Sequence, residues 1–199
     1  MAAAMIRRPC RHMTRQPAIS LPHEAALTMP ESEVRDTANA PAPLVAYVGL
    51  GANLGDRRRT IDSAIDALAR LPASAVLRTS GLYRSRSIGA EGPDYLNAVV
   101  EMRTALAPLA LLQELQAIEA AHGRVRSVPN APRTLDLDLL LYGEQEMALP
   151  TLQVPHPRLH ERAFVLRPLA ELAPDLVVPR RCRIADLLAM VADQRIDRL

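Results

Sequence analysis

The sequence predicts an α+β fold, a ferredoxin-like βαββαβ antiparallel sheet with helices on one face and further helices at the C-terminus. Three observations predict it. Short apolar runs of strand character alternate with two long stretches of helical periodicity. Their succession reads strand, helix, strand, strand, helix, strand. Turn-forming residues stand at the boundaries between them.

Each element has its own local reason. Residues 44–48 are a short apolar strand running into the glycine-bearing stretch 49–55, read as a loop. Asp56 is placed to cap the next helix, where Ile61, Ala64, Ile65, Leu68 and Leu71 recur at helical spacing until Pro72 closes it. Residues 76–83 form a second strand, Gly89, Gly92 and Pro93 mark a loop, and 95–102 form a third strand. Pro108 opens a second long helix with Leu111, Leu112, Leu115 and Ile118 on one face, and Gly123 stops it. The fourth strand is 134–142. A proline-rich loop then leads to helices around 165–172 and 184–191.

Residues 1–43 differ from the rest. Arg7, Arg8, Arg11 and Arg15 precede the first acid, Glu24, and six prolines interrupt any periodicity. Such a stretch buries too little apolar surface to offset its ordering entropy, so a disordered extension is expected before a domain at 44–199.

Composition narrows the function. All 24 basic residues are arginine, and with no lysine a Walker A loop, a Schiff base and Ser-Lys catalysis are excluded. The net charge of +2 is too balanced to advertise a polyanionic partner, and aromatics at 3% argue against rows of base-stacking rings. Cys10 and Cys182 are too few for a disulfide framework or a four-cysteine zinc site. No apolar stretch reaches the roughly 18 residues that span a bilayer.

The chemistry-bearing segment is Arg133-Thr134-Leu135-Asp136-Leu137-Asp138-Leu139. On a strand, alternate side chains share a face, so Asp136 and Asp138 project together while the leucines enter the core. Adjacent carboxylates repel unless a cation lies between them, and an all-oxygen pair suits Mg²⁺ completed by water and phosphate oxygens. A solvated strand face is the other reading of the pair. Arg124, Arg126, Arg133, Arg158 and Arg162 crowd the neighbouring loops, where guanidinium forks would bind phosphate oxygens in pairs. Carboxylates for metal beside an arginine clamp are the equipment of phosphoryl transfer. The glycines of 49–55 do not fit a dinucleotide fingerprint, because the last one falls a residue late. They suit a tight turn close to a ligand or a neighbouring loop.

Five motifs in order, 51–55 (GANLG), 93–98 (PDYLNA), 123–126 (GRVR), 132–138 (PRTLDLD) and 154–156 (VPH) with 162–164 (RAF), resemble the 6-hydroxymethyl-7,8-dihydropterin pyrophosphokinase family over about residues 44–180. The resemblance implies a ferredoxin-like fold and transfer of the pyrophosphoryl group of ATP to the pterin hydroxymethyl oxygen, giving AMP. It implies two Mg²⁺ ions bridged by Asp136 and Asp138, and catalytic roles for Arg124, Arg133 and both aspartates. Gln116, Glu119, Arg124, Arg133, His156 and Arg162 would serve the nucleotide. Asn53, Tyr95, Asn97 and Phe164 would serve the pterin, with Tyr95 and Phe164 sandwiching the ring and Asn97 on its edge. The loop 127–131 departs from the family in lacking a tryptophan and further basic residues. The expected partners are ATP and 6-hydroxymethyl-7,8-dihydropterin, with neither nucleic acid nor membrane, in a cytoplasmic monomer. The rival readings are a ferredoxin-like RNA-binding module and another two-metal nucleotidyl transferase.

Overall fold

A computed structural model describes residues 42–86, 92–123 and 133–199. The extension read at 1–43 therefore falls, up to residue 41, outside the described residues, as do Arg124, Arg126 and the loop 127–131. Residues Ala42–Leu199 form one compact unit.

The elements follow in the order β1 (Leu44–Ala52), α1 (Arg57–Ala69), β2 (Ser74–Thr79), β3 (Tyr83–Ser85), β4 (Tyr95–Thr104), α2 (Pro108–Ala121), β5 (Asp136–Tyr142), β6 (Met147–Ala148), β7 (Gln153–Val154), α3 (Ala163–Leu172), α4 (Ile184–Met190) and β8 (Ile196–Arg198). The main sheet runs β5-β1-β4-β3-β8, with β2 also paired to β4, and every pairing in it is antiparallel. Asp56 caps α1 by accepting from the Arg59 N–H at 3.1 Å, and Pro108 stands in the first turn of α2. Gly123 ends α2 at φ +75°, a conformation costly for any residue with a Cβ.

Alternation along the strands builds two cores. Ala46, Val48, Leu50 and Ala52 of β1, with Leu96, Ala98, Val100 and Met102 of β4 and Leu137 and Leu139 of β5, pack against α1 and α2. The opposite face carries Tyr47, Val99 and Leu140, which pack against α3 and α4. A buried Leu-sized side chain contributes about 1.5–3 kcal/mol relative to exposure, so both faces stabilise the sheet.

Four readings change. The single strand expected at 76–83 is two strands, because the Ser80 hydroxyl takes the Val99 N–H at 2.9 Å and the Gly81 N–H turns to Glu171 at 3.2 Å. These bonds replace ladder bonds and bend the chain. The glycine stretch is no loop at first: β1 continues through Ala52, and in 49–55 only Gly55 takes positive φ. The proline-rich loop contains the small hairpin of β6 and β7. β8, unread in the sequence, pairs with β3 at the sheet edge.

Candidate active site

The second face is apolar where α3 covers it and bare or polar where it does not. Two cross-strand rows lie in the uncovered part. Gly51 sits opposite Asn97 on one side and Asp136 on the other, and Gly49 sits between Val99 and Asp138 in the same way. Strands lie about 4.8 Å apart, so Asn97 and Asp136 stand roughly 10 Å apart across a floor without side chains. Above this floor is a cavity of about 420 Å³, its wall including Tyr95, Asn97, Asp136, Asp138, His156 and Phe164.

Asp136 and Asp138 do project together into that cavity, while Leu135, Leu137 and Leu139 are buried. Arg133 binds Asp136 through Nη1 to Oδ1 at 2.8 Å. Arg162 Nη1 lies 3.6 Å from Asp138 Oδ2. The same guanidinium stands 5.5 Å over the Phe164 ring, so one arginine links the carboxylate to the aromatic wall. Burial, set against the attraction of Asp138, lowers the Arg162 pKa from its ordinary value.

His156 is held neutral. Burial first, and then the positive field of Arg162, push its pKa down to about 4. Its Nδ1 accepts the Arg158 N–H at 3.2 Å, which puts the remaining proton on Nε2, 3.9 Å from Asp138 Oδ2. The imidazole is thereby a donor aimed at the carboxylate end of the cavity.

Asn97 is 3% exposed. Both amide hydrogens are spent inside the protein, on Ser85 Oγ at 2.9 Å and the Tyr83 carbonyl at 3.3 Å. Its Oδ1 points to the cavity floor, 3.6 Å from where a Cβ on Gly51 would be. Tyr95 and Phe164 are half-buried and line the cavity.

Three of the sequence-predicted residues stand behind the cavity rather than on it. Asn53 is buried, with Oδ1 accepting the Arg133 N–H at 2.8 Å and its own N–H donating to the Arg133 carbonyl at 3.2 Å. It fixes where β5 begins. Glu119 on α2 is 2% exposed and accepts the Leu137 N–H at 2.8 Å, between the two aspartates. Gln116, one turn earlier, is half-buried and outside the cavity lining. Arg124 lies outside the described residues. Sequence reasoning passed over Ser85 and Arg86, which also line the cavity. Their only signal is the alternation Tyr83-Arg84-Ser85, which runs past the end at residue 83 expected for the second strand.

Residues 47–174 match the family model described as 7,8-dihydro-6-hydroxymethylpterin-pyrophosphokinase. A Pseudomonas aeruginosa protein named 2-amino-4-hydroxy-6-hydroxymethyldihydropteridine pyrophosphokinase is 50% identical over 154 residues, covering 77% of this chain and 95% of that one. One of the same name from Haemophilus influenzae is 41% identical over 157 residues, 78% of this chain and 98% of that one. A crystal structure described as HPPK-DHPS in complex with substrates gives a TM-score of 0.60 at 12% identity, over 76% of this chain and 44% of that one. A Plasmodium falciparum HPPK-DHPS variant with pteroate gives 0.62 at 13%, over 81% and 45%. The chain spans less than half of those two solved chains, and at such identities the likeness is one of fold.

Proposed function

The chain belongs to the 7,8-dihydro-6-hydroxymethylpterin-pyrophosphokinase family, and we propose that its cavity moves the pyrophosphoryl group of ATP onto the hydroxymethyl oxygen of 6-hydroxymethyl-7,8-dihydropterin in folate biosynthesis. One observation carries this: the cross-strand row Asp136–Gly51–Asn97, which sets a carboxylate end and an amide end on either side of a bare floor. A flat bicycle held at Asn97 and stacked by Tyr95 and Phe164 would extend its hydroxymethyl arm over Gly51 toward the aspartates.

The donor set fits Mg²⁺. Asp136 and Asp138 offer oxygen only and share a face, and among the described residues no group of three His, Cys, Asp or Glu is arranged to hold a metal ion by itself. The remaining positions then go to water and phosphate oxygens, as this ion prefers. Two such ions, when bound, would neutralise phosphate charge and make the hydroxymethyl oxygen a better nucleophile. The chain's own residues do the rest. Arg133 and Arg162 orient the carboxylates and present guanidinium groups to the triphosphate. The His156 Nε2–H donates to charge developing on phosphate oxygens. Glu119 serves the nucleotide side by fixing the backbone between the two aspartates, with Gln116 beside it on α2. The family resemblance also assigns Arg124, which lies outside the described residues, to the triphosphate. The pterin oxygen bonds to the β-phosphorus, the bond to the α–β bridging oxygen breaks, and AMP leaves with that oxygen. The hydroxyl proton passes to solvent or phosphate.

The ferredoxin-like reading of the fold is supported by the order β5-β1-β4-β2, in which the outer strands flank the two central ones without a parallel pair. An RNA-binding module needs exposed rings on its sheet. Here the open face carries aspartates, Asn97 and glycines with the ring of Tyr95 at one side, and α3 covers the remainder. Among the described residues no helix is long and apolar enough to cross a membrane. The test is the nucleotide product from protein, Mg²⁺, ATP and the pterin: AMP with a pterin diphosphate is expected. Formation of ADP or inorganic pyrophosphate would overturn the reading.

A further inference from the structure

The row through the cavity floor does not stop at Asn97. Asn97 pairs with Tyr83, and Tyr83 pairs with Arg198 of β8, so one line of residues runs from the aspartate strand to the C-terminal strand. β3 is only three residues long and would be a weak edge alone. It is held on its far side by β8 and by the Arg84–Asp197 pair at 3.0 Å. From above, Glu171 on α3 accepts the Tyr83 hydroxyl at 2.8 Å and Arg198 Nη2 at 2.8 Å. This short, well-anchored strand supplies both acceptors for the Asn97 amide, the Tyr83 carbonyl and Ser85 Oγ.

A carboxamide has two orientations that differ by exchanging oxygen and nitrogen. Turned the other way, the Asn97 oxygen would face the Tyr83 carbonyl, two acceptors with no proton between them, and the Ser85 hydroxyl alone would gain a partner. The observed orientation spends both N–H donors inward and leaves only an acceptor for the cavity. Such a site favours a heterocycle edge that presents N–H donors, and it disfavours one that presents carbonyl oxygens.

We propose that Ser85 is a positioning residue for the pterin, fixing with the Tyr83 carbonyl the Asn97 amide so that its oxygen meets a donor edge of the ring. This rests on the reading that Asn97 binds the pterin. Ser85 acts on one substrate and on orientation, so its loss moves pterin affinity alone.

The test compares full-length Ser85→Ala and Ser85→Thr with the unaltered protein, measuring pterin affinity with Mg²⁺ and a non-hydrolysable ATP analogue, nucleotide affinity separately, and kcat at saturation. In Ser85→Ala, KM and Kd for the pterin should rise about 3- to 10-fold, the worth of one neutral hydrogen bond. Nucleotide affinity and kcat should stay within about twofold of the unaltered enzyme, a margin well below that of one such bond. Ser85→Thr, which keeps the hydroxyl, should restore the pterin affinity. An unchanged pterin affinity in Ser85→Ala, equal losses for both substrates, or failure of Thr to restore it would overturn the proposal. Asn97→Ala separates the two levels. If the enzyme turns over the pterin and Asn97→Ala binds it as well as before, the placement of the pterin is wrong and the Ser85 proposal falls with it. If Asn97→Ala loses the pterin and Ser85→Ala does not, the Ser85 proposal alone fails.

Discussion

Gly51 offers the most revealing perturbation, because the fold can accept a side chain there and the proposed ligand cannot. A Cβ at this position would meet Asn97 Oδ1 at 3.6 Å and Asp136 Cβ and Tyr95 Cδ1 at 3.9 Å, all ordinary contacts. The residue lies in a strand without positive φ, so Gly51→Ala should keep or raise stability, by up to about 1 kcal/mol from reduced chain entropy. The same methyl raises the cavity floor by about 1.5 Å, one carbon–carbon bond. A ring resting on that floor must shift outward. A shift near 1 Å would forfeit up to about half of each affected van der Waals contact and lengthen the Asn97 hydrogen bond, worth about 1 kcal/mol itself. The sum is about 1–3 kcal/mol, or a 5- to 150-fold weaker pterin, and Gly51→Val should lose more. Calorimetric titration with the pterin and an ATP analogue, paired with thermal unfolding, reads both quantities. Gly51→Val protein that is folded and binds the pterin like the unaltered chain would refute the placement of the ring over this floor.

Other outcomes follow from the same geometry. Asp138→Asn should lower turnover at least 100-fold, a loss of about 2.7 kcal/mol or more in transition-state stabilisation, with unfolding little changed, as read by rate and melting curve. Glu119→Leu should cost about 1–3 kcal/mol, because the buried Leu137 N–H loses its acceptor, and Glu119→Gln should recover most of it in urea unfolding. In metal-free protein, His156 NMR shifts should titrate near pH 4 rather than 6.5. Its folded pKa lies below its unfolded one, so the stability it contributes is complete above about pH 6.5 and falls as pH drops toward 4. A chelator should abolish turnover and leave the melting temperature unchanged, since neither core contains a metal ligand.

The central strands and helices were legible because their signals are local. Asp56 and Pro108 announce helix starts, and the alternation of leucine with Asp136 and Asp138 tells both the strand and its faces. Asn97 was legible through the motif that contains it, but its orientation was not, since that depends on Ser85 and Tyr83 across a strand pair. The glycine floor was misread as a loop. Glycine is a poor strand former on local grounds, and only the neighbours Asn97 and Asp136 explain why side chains are missing there. Asn53 and Glu119, expected to serve the pterin and the nucleotide, accept the backbone N–H groups of Arg133, just before the aspartate strand, and of Leu137 within it. A sequence names such residues without telling whether they touch the substrate or the strand that does. β8 carried too few residues to show any period.

The most direct test of the account is a crystal grown with Mn²⁺ in place of Mg²⁺, a non-hydrolysable ATP analogue and the pterin, read by the metal's anomalous scattering. Peaks within coordination distance of both Asp136 and Asp138, with the pterin edge on Asn97 Oδ1, are the expected result. Metal peaks bound only to phosphate or to other side chains, leaving those two carboxylates without an ion, would contradict it.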